Sequence, residues 1–70
     1  KSYVGTVVTI TSEQIVVDGP DGERAFTIAP ADRIAFDVPH LSDHADKGEA
    51  VRVFYRSTPA GDAGIAYEDA

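Results

Sequence analysis

The densest group of chemistry-bearing residues in the chain is His40-Leu41-Ser42-Asp43-His44, with Asp46 two positions further on. On a helix, His40 and His44 are four apart and share a face. Two imidazoles at that spacing bind one Zn²⁺ with a carboxylate as third ligand, and Asp43 is the nearest candidate. In the zinc-protease helix a catalytic glutamate directly follows the first histidine; here Leu41 stands in that place. A metal held here is therefore expected to be structural rather than catalytic. The plainer reading packs Leu41 and Ala45 inward and leaves both histidines on a solvated face.

Other constellations are weaker. Asp18, Asp21 and Glu23 surround Gly19 and Gly22, and oxygen donors around a glycine turn resemble a Ca²⁺ loop. The alternating acids and distal glutamate of an EF-hand are missing, and aspartate is favoured in turns for its local hydrogen bonds. Asp32, Asp37 and Glu49 are not placed as a pair in one desolvated pocket, which acid–base catalysis requires. Ser2, Ser12, Ser42 and Ser57 lack a nucleophile-elbow context, and no glycine-rich phosphate loop is present. Cysteine is absent, so neither a thiolate nucleophile nor a disulfide is available. These readings point to a non-enzymatic protein that needs no cofactor.

Charge narrows the partners. The formal net charge is −6, and the six basic residues, Lys1, Arg24, Arg33, Lys47, Arg52 and Arg56, form no run. Nucleic-acid affinity rests on neutralising phosphates with lysine and arginine, so this surface disfavours nucleic acid. It disfavours anionic membranes for the same reason. No apolar run approaches the ~20 residues of a membrane span. The chain begins at Lys1 rather than Met, which reads as a processed or excised chain.

The elements that must position these residues are mostly strands. Seventy residues, 43% of them hydrophobic, make one domain with one core, residues 1–70. Period-two alternation predicts strands over Tyr3–Ile10, Gln14–Asp18, Glu23–Ile28, Glu49–Ser57 and Gly64–Glu68. Val8, Ile15, Phe26, Val53 and Ile65 are the expected centre of the core. Thr11-Ser12-Glu13 and Pro20-Asp21-Gly22 read as turns, and Thr58–Ala63 as a hairpin loop. Arg33–Val38 alternates weakly and reads as a short extra strand or an extended connection. A short helix follows from Pro39, with Gly48 as its C-terminal cap. The acidic end, Glu68-Asp69, is expected in solvent. Three meandering strands, a helix and a hairpin match a five-stranded oligomer-binding (OB) barrel, with an SH3-like barrel as the alternative.

Tyr3-Val4-Gly5-Thr6-Val7, Ile15-Val16-Val17-Asp18-Gly19, and His40-Leu41-Ser42-Asp43-His44 followed by Gly48-Glu49-Ala50-Val51-Arg52-Val53-Phe54-Tyr55 carry a family resemblance. Over nearly the whole length the chain resembles the small extracytoplasmic β-barrel domains of unknown function found in many bacteria. The resemblance implies the fold, an extracytoplasmic or periplasmic location and no known catalytic residues. It carries no ligand across.

The same alternation leaves Tyr3, Val7, Val16 and Phe54 on faces opposite the expected core, beside Arg52 and Arg56. The plainer reading is that strand one bends and buries both faces in part, or that the connection around Phe36 covers this side; the sharper one is an interface, where aromatic side chains with arginine are enriched. The leading expectation is thus a binding or assembly module that meets another protein, or itself, through a strand face. The alternatives are a metal-binding domain built on His40 and His44, and a structural accessory domain of a larger protein.

Overall fold

A computed structural model describes all 70 residues. Five strands, β1 (Ser2–Ile10), β2 (Gln14–Gly19), β3 (Gly22–Thr27), β4 (Ala50–Thr58) and β5 (Gly61–Asp69), and one helix, α1 (Val38–Lys47), make up most of the chain. The strands close into a barrel in the order β1-β2-β3-β5-β4, with β4 returning to β1. Neighbours are antiparallel except β3 and β5, which run parallel and meet at a single pairing, Thr27 with Ala63.

Turn chemistry sets the strand ends. The Thr11 hydroxyl accepts hydrogen bonds from the backbone N–H groups of Glu13 and Gln14, folding the expected β1–β2 turn. Pro20 and Asp21 bridge β2 and β3, where Gly19 faces Gly22. The Tyr3 hydroxyl holds this turn, accepting from the Asp21 N–H at 3.0 Å and donating to the Gly22 carbonyl at 2.7 Å. The β4–β5 hairpin is tighter than expected. Its strands run on to Thr58 and from Gly61, leaving Pro59-Ala60 as the loop, and the Thr58 hydroxyl bonds both Ala60 N–H and Gly61 C=O.

The expected strand or extended connection at Arg33–Val38 is instead a 3-10 helix over Pro30–Ala35. Pro30 presets its first turn, and the Ala29 carbonyl accepts from the Asp32 N–H at 2.9 Å. Ile34 points into solvent, whereas Phe36 enters the core. Asp37 then caps α1, its carboxylate accepting from the His40 N–H at 3.1 Å. Gly48 ends α1 with φ of 67°, the left-handed cap that glycine adopts without strain.

The core comprises Tyr3, Val7, Ile15, Val17, Phe26, Ile28, Phe36, Leu41, Val51, Val53 and Tyr55. Ile15, Phe26 and Val53 sit at its centre as expected. Val8 and Ile65 do not; they are 41% and 39% exposed. One physical cause explains both. Val7 pairs with Val17 and Thr9 with Val16, so Val8 is an extra residue without a partner. Phe54 pairs with Ala66 and Tyr55 with Gly64, so Ile65 is another. Each is a β-bulge, which inserts one residue and flips the inward parity of the strand beyond it. Tyr3, Gly5 and Val7 therefore face inward before the first bulge, and Ile10 packs on the core after it.

Gly5 and Gly19 allow β1 and β2 to close. A Cβ on Gly5 would fall 2.3 Å from the Asp18 carbonyl oxygen, and one on Gly19 would meet the Val4 carbonyl and the Tyr3 ring. No helix is long and apolar enough to cross a membrane.

Candidate metal centre

Helix α1 packs against β1 and buries Leu41 and His44, with Ala45 resting on the core. These positions follow the i, i+3, i+4 spacing of one helix face. The expectation that both histidines are solvated is thus corrected for His44, which is 6% exposed. His40 lies one turn earlier, at the edge of the same face, with its side chain 43% exposed.

The two imidazoles converge. Nε2 of His44 lies 3.1 Å from Nε2 of His40. The third member of the group is Asp69, from the end of β5, whose Oδ1 is 3.1 Å from His40 Nε2 and 3.2 Å from His44 Nε2. Asp69 is exposed, as the sequence suggested, yet its carboxylate lies against both imidazoles. Asp43, the expected carboxylate, points elsewhere: it pairs with Lys47 at 2.9 Å, and that ammonium holds its carboxyl below the usual range. Asp37 is engaged in the helix cap. The acids of the β2–β3 hairpin, Asp18, Asp21 and Glu23, gather no comparable donor group.

Three donor atoms 3.1–3.2 Å apart suit one small cation. With metal–ligand bonds of about 2.0–2.1 Å, neighbouring ligands lie about 3.3 Å apart in a tetrahedron and about 3.0 Å apart on an octahedral face. Protons satisfy the triangle less well. Without bifurcation, two of its three edges carry a hydrogen bond at best, because a proton on each Nε2 would set N–H against N–H. Nδ1 of His44 is buried without a partner. A metal on Nε2 would place the proton on Nδ1.

Packing orients the exposed ligand. The Tyr67 ring stacks on His40 at 6.3 Å between centroids and on Phe36 at 5.7 Å, both pairs 29° from parallel. Burial raises the Tyr67 phenol's pKa, with Asp37 and Asp69 adding to the effect. The Asp69 hydrogen bond raises the His40 pKa above its ordinary 6.5, and Asp37 and Asp43 add to it.

The expected interface patch does not assemble. Tyr3 and Val7 are core residues. Of the rest, Phe54 stands opposite Ser2 and Val16 opposite Thr9. Those β1 positions are seven residues apart, roughly 20 Å along a strand. Arg52 lies beside Ser2 and Glu68, and Arg56 is exposed. The arginine that does meet aromatic rings is Arg24. Its guanidinium lies 4.8 Å from the Tyr3 ring centroid, 4.9 Å from that of Tyr55 and 5.4 Å from that of Phe26, and it bonds Asp62 at 2.6 Å. Asp62 and Asp69 stand near opposite ends of β5, so this cluster is separate from the histidine site.

Sequence reasoning missed Asp69 and Tyr67. The signal for both is the register of β4 with β5, which pairs Val53 with Tyr67 and Val51 with Asp69 and so carries β5 along to the helix. No pocket opens in the surface or the core. Comparison with family models, curated proteins and solved structures gives no match.

Proposed function

We propose that this protein is a small OB-like barrel that binds one divalent transition-metal ion through His40, His44 and Asp69. The carrying observation is the convergence of three donor atoms, from two separate elements, onto one triangle of 3.1–3.2 Å edges. Two imidazoles and one carboxylate suit Zn²⁺ and its first-row neighbours, whereas Ca²⁺ and Mg²⁺ prefer all-oxygen sets. The OB-like reading is supported by the strand order β1-β2-β3-β5-β4 and by a helix between β3 and β4.

His44 lacks the outer acceptor that usually receives the second ring N–H of a metal-bound histidine. Such support is worth about 10–100-fold in affinity, so binding weaker than at a fully braced structural zinc site is expected. Calorimetric titration of EDTA-treated protein with Zn²⁺ tests the reading. One ion per chain, with the signal lost in a His40→Ala/His44→Ala double variant, supports it. No heat, or equal heat from the double variant, overturns it.

A further inference from the structure

We infer that this protein associates with further copies of itself, the outer face of β4 on one copy docking against the outer face of β2 and β3 on the next. The contact uses none of the residues of the metal centre.

Alternation along β4 turns Val51, Val53 and Tyr55 inward and leaves Arg52, Phe54 and Arg56 in one outward row. Steps of two residues put each about 6.7 Å from the next. The register sets small neighbours, Ser2 and Ala66, on either side of Phe54, and Ala63 beside Arg56. Phe54 is partly buried but is not part of the core. Ion pairs engage Arg24 and Arg52 and leave Arg56 without a carboxylate.

The opposite charge stands across the barrel. Asp18 and Glu23 face each other on β2 and β3, both exposed, and neither has a cationic partner. Like charges directly opposed on a strand pair repel. One step along the outer face, Val16 stands opposite Ala25. In the closed order β1-β2-β3-β5-β4, β2 and β3 are the two strands that do not touch β4. The two faces therefore point away from each other, and one copy cannot bring them together.

The bulges are an independent observation. Three large hydrophobic side chains are exposed, Val8, Ile34 and Ile65, and two of them are the bulge residues. Each bulge borders one of the two faces. Val8 adjoins Thr9, the partner of Val16, and Ile65 adjoins Ala66, the partner of Phe54. A bulge re-aims a side chain, and here each turns an aliphatic group outward near a charge that has no partner.

Both faces thus carry a charge and then, two residues on, an apolar group. Laid together, Arg56 of one copy falls between Asp18 and Glu23 of the next, and Phe54 with Ile65 covers Val16 with Val8. The net charge of −6 opposes contact between copies. That repulsion acts between whole molecules whose smallest extent is 16 Å, beyond the Debye length of about 8 Å at physiological salt, whereas the contact pairs lie within it. About six residues a side, against roughly 20–30 in a standard interface, makes the association weak. Because the two faces differ, copies add head to tail.

Sedimentation equilibrium of the full chain at physiological ionic strength, from about 10 μM to about 1 mM, spans the affinities of so small a contact. EDTA is present throughout, so that metal ions cannot bridge copies. The mean mass of the wild type is expected to rise with concentration. Arg56→Glu alone, and Asp18→Lys/Glu23→Lys alone, should stay monomeric. An equimolar mixture of the two variants should associate again, because the reversed charges meet across the same contact. Both variants remain net negative, so recovery does not come from opposite net charges. A wild type that stays monomeric throughout overturns the inference, whatever the variants do. So does association that neither variant reduces, or a mixture that stays monomeric.

Discussion

Nε2 of His44, beneath helix α1, lies 3.2 Å from Oδ1 of Asp69 at the far end of β5. This contact ties the connecting helix to the last strand and separates the observed site from one drawn on the helix alone. Asp69→Ala is expected to weaken Zn²⁺ binding by at least about 10–100-fold, the loss seen when even an outer-shell partner is removed. Asp43→Ala should leave affinity within a small factor, because Asp43 serves Lys47. Paired calorimetric titrations of the two variants check this; equal losses would restore the helix-only site.

The hydrogen bond to Asp69 raises the His40 pKa above 6.5, so the metal-free fold favours protonated His40. A raised folded-state pKa contributes stability that is complete below the unfolded value and is lost as pH rises through the folded value. In EDTA, the urea midpoint of the wild type relative to Asp69→Asn should therefore be larger at about pH 6 than at about pH 8. Metal affinity should run the other way and fall on acidification, since protons compete for His40 Nε2. A stability difference that grows with pH would contradict the assigned pairing.

The two bulges divide apolar residues that look alike in the sequence. Val8→Thr and Ile65→Thr are expected to change stability by no more than about 0.5 kcal/mol, as surface substitutions do. Val7→Ala, one residue from the first bulge, should cost about 2 kcal/mol, because Val7 is 4% exposed in the core. Phe26→Ala should cost about 3–5 kcal/mol, most of the stability of a domain that holds about 5 kcal/mol in total. Denaturant titrations of the four variants give the order; a costly Val8→Thr would refute the bulge.

Alternation recovered what local pattern controls. Ile15, Phe26 and Val53, three of the expected core centre, are buried in the structure beside Val17, Ile28, Val51 and Tyr55. It inverts the first part of β1 because Val8 and Ile10 are only two residues apart and so read as one face. Period two has no term for an inserted residue, so Tyr3 and Val7 read as surface positions. The site was half legible for a similar reason. A four-residue spacing on one helix brings His40 and His44 together locally. Asp69 is 25 residues beyond His44 and reaches it only through the closed barrel and the β4–β5 register.

Glycine positions separate two kinds of constraint. Gly48 has open space around it but φ of 67°, so Gly48→Ala should cost about 1–2 kcal/mol of left-handed strain. Gly5 has an ordinary φ, but a Cβ there would meet the Asp18 backbone at 2.3 Å. Gly5→Ala is expected to cost more than Gly48→Ala, since two strands must part to admit it. Thermal unfolding of the two variants decides the order, and a milder effect at Gly5 would mean that β1 and β2 are farther apart than described.

The most direct test of the metal centre is anomalous diffraction at the zinc edge from crystals soaked in Zn²⁺. A single strong peak within bonding distance of His40 Nε2, His44 Nε2 and the Asp69 carboxylate is predicted. A peak on other residues, or none while the three side chains keep their triangle, would contradict the account.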